Sequence, residues 1–240
     1  MVRIRSPTVR KRAAKETMEV YFFTDPLCPW SWAMEPAVSA LRAREDIEFH
    51  SILVGWLPSL AGRTVEAVAA EWSDAAAKTR ARIDPTYWDR VAPKTSLIAC
   101  AAVKSAELQG TAKGETLLLA IRRAAFETSA DVAAAETLVS LAGPAGLQAE
   151  MFAGDLGVGR YAADDVVKAI DPALPLSESV AWFARRRMLR SWTNLADDIR
   201  NAERQGLTSP AFHILHGKKE TRLKGAVRTD EVEAAIRSVR

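Results

Sequence analysis

Residues 24–32 read Thr-Asp-Pro-Leu-Cys-Pro-Trp-Ser-Trp and place a cysteine, Cys28, where an apolar stretch gives way to one of helical composition. Pro29 suits the first turn of a helix, because its missing N–H would have no partner there and its φ is already helical. We therefore expect a helix that begins at Cys28 and continues through residues 30–43. The stretch predicts a strand, a turn and a helix, with a thiol at the turn.

The position of Cys28 favours thiol chemistry. The first turn of a helix presents unpaired N–H groups and the positive end of the helix dipole, and both stabilise a thiolate. The sequence thus predicts a lowered pKa for Cys28. Ser31 lies three residues later on the same helical face, so its hydroxyl can donate a hydrogen bond to the sulfur. The alternative is that Cys28 is a small buried apolar residue, as free cysteines commonly are.

Ser31 stands where a second cysteine would complete a Cys-x-x-Cys pair. A second thiol would resolve a mixed disulfide from within the protein, whereas serine leaves the adduct until an external thiol attacks it. The motif therefore predicts chemistry with a single cysteine (CxxS). Cys100 is the other cysteine of the chain. Its apolar neighbours indicate a buried structural thiol, and pairing with Cys28 stays an open alternative.

The order of predicted elements extends outward from this motif. Short runs rich in aromatic and β-branched residues predict strands at 18–24 and 47–54, on either side of the helix. From about residue 64 to residue 205, apolar residues recur at helical spacing between glycine and proline breaks, which predicts five or six helices. Strands at 211–215 and 221–224 then form a hairpin, and a helix follows from about residue 230.

Several segments resemble one family. Asp25–Trp32 is similar to the active-site turn of the cytosolic branch of the DsbA family, which includes FrnE-like proteins, kappa-class glutathione transferases and 2-hydroxychromene-2-carboxylate isomerases. Gly206–Phe212 resembles the family's loop that ends in a cis-proline. Residues 93–102 and 123–127 are similar to its helical region. The resemblance covers most of residues 18–240.

The resemblance implies an α/β thioredoxin fold with a large inserted α-helical domain. The thioredoxin-like domain would comprise residues 17–62 and 203–240, and the helical domain residues 63–202. Pro210 would follow a cis peptide bond, and Thr208, Ser209 and Pro210 would bind substrate or a small thiol beside Cys28. Pro29 and Trp30 would contribute to the same site. The other tryptophans are expected in the core, namely Trp32, Trp56, Trp72, Trp88, Trp182 and Trp192.

Three functions remain open on these observations. The favoured one is a thiol-disulfide oxidoreductase or isomerase in which Cys28 attacks a disulfide of a protein or small molecule and Ser31 supports the thiolate. No bound cofactor is expected, and glutathione or another small thiol would act as co-substrate. The second is a glutathione-dependent isomerase or transferase acting on a small aromatic or electrophilic substrate. The third is a non-enzymatic adaptor that uses the scaffold for binding. Homodimer formation is left open.

Composition excludes other classes of function. The chain has 33 Lys and Arg against 30 Asp and Glu, so no general charge excess favours nucleic-acid binding. No apolar run has the length of a membrane span, and the two cysteines point to a reducing, cytoplasmic location. The three histidines lack metal-site spacing, so no metal is expected. Basic residues crowd residues 1–16, which predicts a disordered tail.

Overall fold

The computed structural model describes residues 17–57 and 63–240. These residues form one sheet of four strands. The strand order is β2-β1-β3-β4, with β1 at Met18–Thr24, β2 at Ile47–Leu53, β3 at Ala211–His216 and β4 at Lys219–Lys224. β2 runs parallel to β1, whereas β3 is antiparallel to both β1 and β4. The predicted strands and hairpin are confirmed. β4 begins two residues earlier than predicted.

The expected helix after Cys28 is two helices, α1 (Pro29–Ala33) and α2 (Glu35–Arg42), separated at Met34. Pro36 explains the break, because proline has no N–H to donate and its ring clashes with the carbonyl four residues earlier. The prediction of one continuous helix was therefore wrong. Cys28 is the N-cap, with extended backbone, and the helical residues begin at Pro29.

Between β2 and β3 the described residues form nine helices rather than five or six. Several are shorter than nine residues, which is too short for the helical period to separate them from the turns around them. Their bounds are α3 Val65–Lys78, α4 Tyr87–Arg90, α5 Leu97–Glu107, α6 Thr111–Thr128, α7 Ala135–Ala142, α8 Ala149–Leu156, α9 Ala163–Ala169, α10 Leu176–Arg187 and α11 Arg190–Gln205. The last helix, α12, spans Thr229–Val239. The predicted basic tail at 1–16 lies outside the described residues.

The sheet packs differently on its two faces. Helices α2 and α12 cover one face, where Val20 and Phe22 of β1 meet Val38 and Ile236. On the other face a smaller cluster joins Phe23 to residues of α11 and the loop that follows it. Within residues 17–57 and 63–240, no helix has both the length and the apolar composition that crossing a bilayer requires.

The largest core lies among the inserted helices and reaches the turn that holds Cys28. Trp72 stacks on Phe126 at 4.2 Å between ring centroids, and Phe126 stacks on Trp32 of α1 at 5.7 Å. Leu27, next to Cys28, belongs to this core.

Trp182 does not belong to this core, so the prediction that it would be buried was wrong. Its side chain lies on the surface at 48% exposure, with the Arg186 guanidinium 5.4 Å from its ring centroid.

Candidate active site

Cys28 lies at the junction between the sheet and the inserted helices. Its backbone N–H donates to the Asp25 carbonyl at 3.3 Å, and its carbonyl accepts from the Trp32 N–H at 3.1 Å. The turn after β1 therefore holds the residue at the N-terminus of α1. The side chain has no exposed surface. A disulfide can reach the sulfur only after the residues that cover it move.

Burial raises the pKa of the Cys28 thiol above its ordinary value, so the predicted lowering was wrong. Hydrogen bonds from the Ser209 hydroxyl and from the Ser31 N–H and hydroxyl act in the opposite direction. The negative charge of Asp25 adds to the increase. The helix N-terminus supplies donors as predicted, but removal of the thiolate from water outweighs them.

Two serine hydroxyls meet beside Cys28. Ser31 Oγ and Ser209 Oγ lie 2.7 Å apart, although they are separated by 178 positions in the chain. The peptide bond between Ser209 and Pro210 is cis, and Pro210 is buried at the start of β3. The structure therefore brings the first helical turn after Cys28 against the loop before β3.

The remaining residues predicted to bind substrate surround this pair. Pro29 is buried, and Trp30 is partly exposed. Thr208 is exposed, and Ser209 is partly exposed. The solvent-accessible part of the site thus consists of Trp30 on one side and residues 208–209 on the other.

Asp25 is a buried carboxylate that the sequence motif contained but to which the sequence analysis assigned no role. Its oxygens accept from the N–H groups of Leu27 and Trp56, each at 2.8 Å, and from the Ser96 hydroxyl at 2.7 Å. Cys100 Sγ donates to it at 3.4 Å. Burial raises the pKa of Asp25, whereas these donors oppose the increase. Through these hydrogen bonds, the Asp25 carboxylate connects three parts of the chain: the active-site turn, the segment that follows β2, and helix α5 with its N-cap.

Cys100 is buried, as predicted, and is a free thiol. Burial raises the pKa of its thiol well above the ordinary value, and the nearby charge of Asp25 acts in the same direction. Burial thus disfavours ionisation of both cysteines, and the described structure contains no bond between them.

Arg122 is a second buried charge that sequence analysis missed. It comes from α6 and has no exposed surface. Its Nη1 donates to Glu35 Oε2 at 2.6 Å and its Nη2 donates to Thr24 Oγ1. The guanidinium is close enough to Cys28 to interact electrostatically with the thiolate form of that residue. A signal was present, because positions 118 and 126, four residues before and after Arg122, are apolar and buried.

The contacts of His50 and His213 are with other side chains of the sheet. His213 Nε2 lies 2.7 Å from Glu220, and His50 stacks on Tyr21 with 4.8 Å between ring centroids. In the part of the chain that the structure describes, no three His, Cys, Asp or Glu side chains are grouped so that they could hold a metal ion.

Comparison with curated proteins finds adapter proteins. The ClpXP adapter protein SpxH of Bacillus licheniformis is 29% identical over 147 residues, which are 59% of this chain and 49% of that protein. SpxH of Bacillus subtilis is also 29% identical, over 148 residues. The chain spans about half the length of the curated relatives it matches.

Comparison with solved structures finds a disulfide reductase with the same fold. The cytosolic disulfide reductase DsbM from Pseudomonas aeruginosa matches with a TM-score of 0.64 and 19% identity, over 92% of this chain and 97% of that chain. Its structure with GSH matches with a TM-score of 0.63. The chain thus has the predicted α/β thioredoxin fold, with α3–α11 inserted between β2 and β3. A protein family described as Thioredoxin (Thioredoxin_5) matches residues 21–165, more than half of the chain. The chain belongs to this thioredoxin family.

Proposed function

We propose that the protein is a DsbA-like thiol-disulfide oxidoreductase or isomerase that uses Cys28 as its single attacking thiol. The observation that carries the proposal is the pair of hydroxyls at Ser31 and Ser209, which lie 2.7 Å apart and oppose the effect of burial on the pKa of the Cys28 thiol. One hydroxyl donates to the other, and the hydroxyl whose proton is left can donate to the sulfur as negative charge develops on it. Their presence on both sides of a buried thiol is the arrangement that a transient thiolate needs.

The reaction proceeds in two exchanges. The Cys28 thiol loses its proton, and the thiolate attacks one sulfur of a substrate disulfide. The substrate S–S bond breaks as a Cys28–substrate disulfide forms, and the departing thiolate takes up a proton. Because Ser31 cannot attack this adduct, an external thiolate such as that of glutathione attacks the substrate sulfur. A new disulfide between the external thiol and the substrate forms, and Cys28 is released as thiolate.

The substrate enters beside Trp30 and the loop that carries Thr208 and Ser209. An extended peptide or glutathione pairs with the backbone of this loop as an added strand, next to Pro210. Pro29 fixes the start of α1 beneath it. We place the reaction in the cytoplasm, where small thiols are abundant; the structural relative DsbM is itself cytosolic and has been solved with GSH.

Exchange with oxidised glutathione tests the proposal directly. Mass spectrometry of the intact protein should show one glutathionyl group on Cys28, and added reduced glutathione should remove it. A Cys100→Ala variant is the matched control and should react like the wild type, whereas Cys28→Ala should not react. Ser31→Cys should resolve the adduct without an external thiol. A reaction that persists in Cys28→Ala would refute the proposal.

A non-enzymatic adaptor is the second candidate, and two observations favour it. The curated relatives are adapter proteins, and Cys28 is fully buried with a raised pKa. In this case the scaffold binds a client without thiol exchange. Complementation of a deletion strain separates the two functions, because an adaptor keeps its activity in the Cys28→Ala variant and an exchange enzyme loses it.

A further inference from the structure

A cleft lies between α1, α2 and α6, about one helical turn beyond Cys28. Its volume is about 370 Å³. The apolar part of its lining includes Trp32, Ala81 and Leu119. Trp32 is 8% exposed and lines the cleft, while Phe126 stacks against its ring. The cleft thus offers an aromatic and aliphatic surface to a small molecule.

Three arginines border the cleft, Arg80 and Arg82 from the segment after α3 and Arg123 from α6. Among the described residues none of the three has a carboxylate within ion-pair distance. Glu35 also lines the cleft, but its carboxylate is already paired with Arg42 and Arg122. Glu127 is the remaining acid of the lining. The lining therefore carries an excess of positive charge that the described residues do not neutralise.

The backbone that carries the arginines is held in place. Trp32 Nε1 donates to the Arg82 carbonyl at 2.8 Å, which joins the apolar surface to the charged rim. The Thr79 hydroxyl accepts from the Ala81 N–H at 3.2 Å and donates to the Ala75 carbonyl at 2.8 Å. Arg123 lies one helical turn before Glu127 on α6. A ligand in the cleft would thus order few backbone atoms on binding.

We propose that this cleft binds an amphipathic organic anion, a carboxylate or sulfonate carried on an aromatic or aliphatic body. The guanidinium groups match the geometry of a carboxylate and donate paired hydrogen bonds to it. The apolar body covers Trp32 and leaves water, which favours binding in proportion to the area buried. Binding in this cleft requires no thiol exchange at Cys28, which is not among its lining residues. A test of this binding site is therefore independent of a test of the reaction proposed above.

Two-dimensional ¹H–¹⁵N NMR of the indole N–H groups tests this site with 2-naphthoate as the probe. The chain contains 7 tryptophans, and a Trp32→Phe variant identifies the Trp32 resonance by its loss. We expect naphthoate to shift this resonance saturably. The neutral analogue 2-naphthamide should bind at least about tenfold more weakly, because it lacks the charge.

An Arg82→Gln/Arg123→Gln double variant should reduce the affinity for naphthoate at least about tenfold. Arg160→Gln is the matched control, since Arg160 is also an exposed arginine without an ion pair among the described residues, and it should leave the affinity unchanged. An unshifted Trp32 resonance at millimolar naphthoate, equal binding of the amide, or full affinity in the double variant would each overturn the proposal.

Discussion

Replacing Arg122 by methionine should lower the free energy of unfolding by about 3 kcal/mol. Methionine retains most of the aliphatic packing of arginine but removes its donors to Glu35 and Thr24. Removal of one partner of a buried ion pair costs roughly 3–5 kcal/mol, because the other charge stays buried without compensation. Arg42 remains 2.6 Å from the Glu35 carboxylate, so we expect a loss at the lower end of that range.

Urea unfolding monitored by circular dichroism measures the loss, with Arg123→Met as the control. Arg123 is the next residue on the same helix but is exposed and has no ion pair among the described residues, so its replacement should change stability by less than about 0.5 kcal/mol. The Arg122→Met effect should persist at high salt, since salt screens buried pairs only weakly.

A double-mutant cycle with Glu35→Gln measures the interaction itself. If the buried pair is the cause, the double variant should be more stable than the sum of the two single losses predicts, by more than about 1 kcal/mol. Additive losses, or an Arg122→Met effect no larger than that of Arg123→Met, would refute the account of this cluster.

Four further predictions follow from the site and the fold. The midpoint of Cys28 alkylation against pH should lie above the ~8.5 of a free thiol, and Ser209→Ala should raise it further; peptide mass spectrometry with iodoacetamide measures both. Because the thiol pKa is raised only in the folded state, the unfolded chain loses this proton first. Stability should therefore fall as pH rises above ~8.5, and less so in Cys28→Ala, as urea unfolding across that range would show. Gly55 has φ +63° and a Cβ there would lie 2.7 Å from a Leu97 methyl carbon, whereas a Cβ at Gly225, with φ +80°, meets open space. By thermal and urea unfolding, Gly55→Ala should therefore cost about 1–3 kcal/mol more than Gly225→Ala. Thr64→Ala should cost about 1 kcal/mol in the same assay, because it removes the 3.1 Å cap hydrogen bond from the Ala67 N–H, and Thr64→Ser should retain it.

Local patterns predicted the strands well and the helices less well. The aromatic and β-branched composition of residues 18–24 is typical of a strand, and the structure places β1 there. The break at Met34 was readable in principle, because Pro36 stands inside the expected helix. The number of inserted helices could not be read from the sequence, because segments of four to eight residues carry too few apolar positions to show a helical period.

The residues of the candidate active site also differ in whether local sequence could predict them. Cys28 and Ser31 are neighbours on one turn, so their spacing alone placed them together. Ser209 came only from the resemblance, because a contact between residues 178 positions apart has no local signal. The direction of the Cys28 pKa shift was missed for a related reason. The helix N-terminus is a local feature, but burial depends on the packing of the whole chain.

The outer strand β4 has a consequence for how the molecule meets its neighbours in a crowded cell. A sheet edge offers unpaired N–H and C=O groups to any other extended chain. Here that edge carries Lys219, Glu220, Arg222 and Lys224, and each of these side chains is exposed. A strand from another molecule could pair with this edge only if these charged side chains lost part of their hydration, which costs free energy. The charge pattern of β4 therefore disfavours edge-to-edge aggregation through this strand.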